Sequence, residues 1–185
     1  MTHYKEVFKE IDSIIMKYCL PEQFTLDCGC NLGRTLQKLG KNACGIDIAK
    51  DKVELCRKAG LTVIKADVES ELPMQSGEFD NVLAIDLLEH LRDADSAIDE
   101  INRVLKPRGK FIVSVPYHSF LKSLLVLMLN FDEHFNNGEH VRFFTEKALT
   151  HMLNEHSFSV LKKHYVGRFY PISNNLVLVC RKVKP

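Results

Sequence analysis

The chain has 185 residues, 45% of them hydrophobic, which suffices for one sizeable core but not for two ordinary domains, so one domain over residues 1–185 is expected. Its 25 Lys and Arg against 24 Asp and Glu leave a formal charge of +1, so no global field favours nucleic acid or an anionic membrane. The six cysteines include no C-x-x-C pair, the first residues lack the apolar run of a signal peptide, and the longest apolar stretch is broken by Lys122. Buried reduced thiols, a cytoplasmic location and no transmembrane segment are the expectations.

In chain order, Tyr4, Val7, Phe8, Ile11, Ile14, Ile15 and Tyr18 repeat at the spacing of one helical face, and Pro21 closes an N-terminal helix over residues 1–21. Residues 24–28 read as a strand, 29–33 as a glycine-bearing turn, and a brief helix ends at Gly40. A second strand over 43–46, a helix over 50–59 stopped by Gly60 and a third strand over 61–66 continue the alternation. Residues 81–85 form a fourth strand, Ala97, Ile98, Ile101, Val104 and Leu105 a helical face, Lys106-Pro107-Arg108-Gly109 a turn, and 111–115 a fifth strand. Strands alternating with helices imply a parallel sheet covered on both faces. Residues 117–145 are irregular and stand where a lid or acceptor-binding insertion would sit. A helix over 146–154 capped by Thr145 follows, then two strands, 158–166 and 176–180, read as an antiparallel pair.

In an open parallel sheet, ligands bind beyond the carboxyl ends of the strands. Asp27 with Gly29 and Gly33 follows the first strand, Asp47 the second, Asp67 the third, and Asp86 with Glu89 and His90 the fourth. Acidic residues also cap helices that follow strands, so any one of these is equally a structural residue. Four at matching places, with glycines in the first turn, point to a shared ligand. Asp47 lies where an acid accepts both ribose hydroxyls. Neither the G-x-G-x-x-G fingerprint nor the G-x-x-x-x-G-K-[ST] phosphate loop is present, so the expected ligand is a nucleoside without phosphates.

These residues carry a resemblance. LDCGCNLG resembles the first motif of class I S-adenosylmethionine-dependent methyltransferases, GID the acidic end of their second strand, and ADVESELPMQSGEFDNV their adenine loop and fourth strand. IDLLEHLRDADSAIDEINRVLKPRGKFIVSVP and EHVRFFTEKALTHMLNEHSFSVL are similar to the later core of the quinone-biosynthesis (methyltransferase type 11) group. Asn31 stands where the family usually has a middle glycine, and asparagine still adopts positive φ at modest cost. The resemblance implies an α/β fold: a Rossmann-like, doubly wound, seven-stranded, mostly parallel sheet with an antiparallel C-terminal hairpin and helices on both faces. It also implies S-adenosyl-L-methionine as cofactor, with S-adenosyl-L-homocysteine as product. Asp27 would hold the methionyl ammonium, Gly29 and Gly33 would admit close backbone approach, and Asp47 with Ile48 would meet the ribose. Asp67 and Val68 would flank the adenine, and Ile85 and Asp86 would line the methionine side.

The implied reaction is in-line methyl transfer to a small-molecule acceptor, for which positioning and exclusion of water supply much of the acceleration. A hydroxyl acceptor needs a base, and His90, His134 and His140, with His118 beside them, are the candidates. His90 reads equally as structural, and His134 and His140 equally as solvated loop residues. Leu121, Leu124, Leu125, Met128 and Leu129 have helical spacing and read first as a core-packed face, or else as the wall of an apolar acceptor pocket or a membrane-surface contact. No metal is expected: C-x-C on a strand would point Cys28 and Cys30 to one face without a second ligand pair. The alternatives are a tRNA or protein methyltransferase and a non-catalytic S-adenosylmethionine-binding protein. Near-neutral charge and the lack of a recognition module speak against a nucleic-acid partner.

Overall fold

The computed structural model describes residues 2–117, 142, 144–167, 173 and 175–183, with side chains described from Glu6 onward. In chain order these form α1 (Thr2–Tyr18), β1 (Thr25–Cys28), α2 (Arg34–Leu39), β2 (Ala43–Asp47), α3 (Lys50–Lys58), β3 (Val63–Lys65) and β4 (Phe79–Ile85). A 3-10 turn (Leu88–His90), α4 (Ala94–Val104), β5 (Leu105–Pro116), α5 (Glu146–Glu155), β6 (Phe158–Val166) and β7 (Asn175–Lys182) follow. The insertion expected over 117–145 lies mostly outside the described residues.

The seven strands form one sheet in the order β3-β2-β1-β4-β5-β7-β6. The first five are parallel, and β7 runs antiparallel to both β5 and β6. This is the expected doubly wound, mostly parallel sheet with an antiparallel C-terminal hairpin. The winding direction reverses between β1 and β4, which opens the crevice beyond their carboxyl ends.

Alternate strand residues serve the two faces. Leu83, Ile112, Val177 and Val179 pack with Ile11 and Ile15 of α1, Leu36 of α2 and Val53 of α3. Val82, Ala84, Phe111, Val113 and Leu178 pack with Ile98 and Ile101 of α4 and Leu149 and Leu153 of α5. Because both faces of the central strands are buried, they read as apolar runs without a two-residue period. Tyr117 and Phe144, at the two ends of the insertion, belong to the second of these clusters.

Two expectations need correction. The turn at residues 106–109 is absorbed into β5, whose pairing with β4 shifts register between Phe79 and Asn81, with Arg108 at φ 63. The apolar run 111–115 marks only part of the paired strand, which also includes Leu105, Lys110 and Pro116. Cys28 and Cys30 do not face the same way either. Gly29 leaves the strand at φ 68, so Cys28 packs on the α4 side and Cys30 among α2 and α3. All six cysteines are free thiols, five buried and Cys44 half-buried. Burial pushes the Cys19 and Cys180 thiols up to about 12.

The end of α4 is capped from a distance. Lys182 of β7, only 7% exposed, donates from Nζ to the carbonyls of Asn102 and Leu105 at 2.7 and 3.0 Å. Those carbonyls lack helical partners, and the ammonium also complements the negative helix end. Lys182→Met keeps the stem and removes both bonds, and it should lower stability by about 1–3 kcal/mol in urea denaturation.

Candidate active site

Beyond the carboxyl ends of β1, β2, β3 and β4 lies a cleft of about 500 Å³. That volume suits a nucleoside-sized ligand. Of the residues expected to meet a ligand, Gly29, Asp47, Ile48, Asp67, Val68, Asp86 and His90 line it. Asp27, Gly33 and Ile85 do not. His118, His134 and His140 lie outside the described residues.

The first turn is built to come close to the cleft. Gly29, Asn31 and Gly33 have φ of 68, 50 and 70, so the asparagine takes the left-handed conformation its place in the motif requires. The Asn31 amide donates to Oδ2 of Asp47 at 2.8 Å, and the Ala49 amide donates to Oδ1 at 2.9 Å. Each oxygen keeps a lone pair for a further donor, as a ribose diol requires. At Gly33, a Cβ would stand 2.3 Å from Cδ1 of Leu61 and 3.2 Å from Sγ of Cys56. Gly33→Ala combines that overlap with left-handed strain, and should displace the turn and weaken nucleoside binding by about tenfold or more in calorimetry.

Asp27 sits beneath this turn at 3% exposure. Burial raises its carboxyl to about 7, with Asp47 and Asp12 adding to the rise and Arg34 opposing it. Arg34 is itself held by Asp12 of α1, which also takes Lys38 at 2.5 Å, and its guanidinium lies 4.5 Å from the centre of the Phe8 ring. A cationic group placed over Asp27 would relieve this cost. At the adenine end, Oδ1 of Asp67 accepts from the Glu69 amide at 3.0 Å and leaves the other oxygen for a donor. Val68 is buried beside it.

At the opposite end stands Asp86, in a left-handed conformation at φ 50. Oδ1 accepts from Oγ of Ser114 at 2.5 Å and from Nδ2 of Asn175 at 2.7 Å. The sequence reading missed both partners. Ser114 sits inside an apolar strand and Asn175 just ahead of the expected last strand; the pairing of Ile85 with Ser114 and of Pro116 with Asn175 brings both to Asp86. Glu89 follows in the 3-10 turn at 2% exposure, and among the described residues no other residue donates to its carboxylate. His90 lines the cleft from an exposed position.

A family model described as a methyltransferase domain matches residues 26–113, a span that reaches from β1 into β5 and includes every cleft-lining residue. The chain carries a methyltransferase domain. A ubiquinone biosynthesis O-methyltransferase of Methylococcus capsulatus is 35% identical over 112 residues, covering 56% of this chain and 47% of that protein. The chain thus aligns with about half the length of such relatives. An uncharacterized protein of Methanocaldococcus jannaschii is 28% identical over 158 residues, covering 85% of this chain and 75% of its own. Among solved structures, an S-adenosylmethionine-dependent methyltransferase of Thermotoga maritima superposes with a TM-score of 0.76 at 24% identity, covering 97% of this chain and 91% of that one. A Pyrococcus horikoshii protein gives 0.77 at 21%, with the same coverage. These two share the fold of the methyltransferase domain. Among the described residues, no helix is long and apolar enough to cross a membrane, and no group of three metal-ligating side chains occurs.

Proposed function

We propose that this protein is an S-adenosylmethionine-dependent methyltransferase acting on a hydroxyl group of a small molecule. The observation that carries the donor half is Asp47, whose two oxygens are fixed by backbone amides at the rim of a nucleoside-sized cleft. The donor's sulfonium supplies the methyl group. Asp47 binds the ribose diol, Asp67 and the Val68 amide read the adenine edge, and the turn from Gly29 to Gly33 admits the methionyl chain above Asp27. Arg34, beside Asp27, balances the charge there.

The hydroxyl acceptor is supported by the relatives named as ubiquinone biosynthesis O-methyltransferases, which align with 56% of this chain. Ile85 lies beside Asp86 at the methionine end, and residues 117–145 follow the strand that ends there, which suits an acceptor-binding insertion. His90, His134 and His140 stay candidates for contact with the acceptor. The protein would act in the cytoplasm without a nucleic-acid partner, consistent with a formal charge of +1.

Calorimetric titration with S-adenosylhomocysteine and with NAD separates this reading from an oxidoreductase of similar topology. Binding of the first alone is expected. Binding of NAD alone would refute the assignment.

A further inference from the structure

We propose that Oδ2 of Asp86 accepts the proton of the hydroxyl that is methylated, with Ser114 and Asn175 as the positioning residues that aim it. This rests on the reading of the protein as a methyltransferase. Two donors converge on one oxygen of this carboxylate, and among the described residues no hydrogen bond reaches the other. Asp86 lines the cleft, so the oxygen with no partner among the described residues is the one left for a ligand.

The surroundings over-determine that orientation. The Asp86 amide donates to the carbonyl of Ser114 at 3.1 Å and to its Oγ at 3.0 Å, while the same hydroxyl donates back to Oδ1. This closes a ring between β4 and β5, and Asn175 locks it from β7. Ser114 is fully buried and Asn175 is 9% exposed, so neither donor swings freely into water. A non-glycine residue at φ 50 is strained, and such strain persists where neighbours enforce it, commonly at functional positions. Fixing one oxygen with two donors sets the direction of the other, which is what in-line transfer demands of a base.

The chemistry balances without a further reagent. A lone pair on the acceptor oxygen forms the O–CH₃ bond as the C–S bond breaks, and the electron pair of that bond stays on sulfur, which passes from sulfonium to thioether. The hydroxyl proton moves to Oδ2 of Asp86 and leaves to solvent when the cleft opens to product. Arg34, His90 and Glu89 are the charged or titratable groups that face Asp86. Burial raises its carboxyl above the ordinary range, while Ser114, Asn175, His90 and Arg34 hold the rise in check. A raised value makes the carboxylate a better base while leaving it able to ionise.

The test uses S-adenosylhomocysteine for the donor side and a pool of catechol, caffeate and 3,4-dihydroxybenzoate, with methyl-labelled S-adenosylmethionine, for the acceptor side. Asp86→Asn should bind S-adenosylhomocysteine within about threefold of wild type, yet transfer label about 100-fold more slowly or worse. Ser114→Ala and Asn175→Ala should each move the acid limb of the kcat/KM profile to higher pH, because each removes a donor that favours the ionised carboxylate. A purely structural role for these two would leave that limb in place. Transfer by Asp86→Asn within about threefold of wild type would overturn the proposal. A parallel loss of S-adenosylhomocysteine affinity would also overturn it, by making Asp86 a donor ligand. So would a wild type that binds S-adenosylhomocysteine but labels none of the phenols. Failure of wild type to bind S-adenosylhomocysteine at all would instead remove the methyltransferase reading beneath it.

Discussion

At about a hundred times its dissociation constant, S-adenosylhomocysteine should raise the melting temperature by roughly 5–10 °C, and Asp47→Ala should abolish most of that shift. A ligand at that excess contributes about 2.7 kcal/mol to a folded state that alone binds it. For a domain of this size, each kcal/mol moves the midpoint by about 2–4 °C. Asp47 is singled out because it has two connected tasks. Its oxygens take the amides of Asn31 and Ala49, and this sets the left-handed turn at Asn31 against the start of α3. The same oxygens then present their remaining lone pairs to the cleft. Alanine removes both, so the unliganded variant should also melt lower, and the deciding quantity is the ligand-induced shift within each protein. Asp47→Asn keeps one acceptor oxygen and should retain an intermediate shift. An undiminished shift in Asp47→Ala would sink the ribose assignment.

What could be read from sequence follows the range of the interactions involved. The acids at Asp27, Asp47, Asp67 and Asp86 and the first turn are local to strand ends, and their order along the chain encodes their convergence once the sheet is parallel. Asn31 is readable for the same reason, since its φ of 50 answers a requirement of its own turn. The partners of Asp86 could not be read this way. Ser114 and Asn175 are 28 and 89 positions away; Ser114 meets it through the parallel pairing of β5 with β4, and Asn175 because β7 enters antiparallel beside β5. Nor could spacing divide the ligand-lining acids from the buried one: Asp27 and Asp47 stand at equivalent strand ends, but only Asp47 lines the cleft. The wrong orientation given to Cys30 has a similar origin, because a two-residue alternation holds only while the strand continues, and Gly29 ends it.

Between pH 5 and pH 8 the ligand-free protein should lose stability, and Glu89→Gln should remove a large part of that loss. Glu89 is buried in the 3-10 turn after β4, where among the described residues no other residue donates to its carboxylate. Burial raises its carboxyl to about 8, its own backbone amide opposes the rise, and the Asp86 charge adds to it. The folded value exceeds the unfolded one of 4.5, so this contribution to stability is fully present below 4.5 and is lost as pH rises through about 8. The slope within that window approaches about 1.4 kcal/mol per pH unit for one such group, so the accumulated loss is on the order of a few kcal/mol. Asp27, raised to about 7, and His156, held between Asp95 and Asp99, act with the same sign. The glutamine variant should therefore keep a shallower slope rather than none. Urea denaturation at pH 5, 6, 7 and 8 measures both slopes, and identical slopes would show that Glu89 is solvated or paired. At neutral pH a protonated Glu89 adds no negative charge beside Asp86, at the end of the cleft where methyl transfer is proposed.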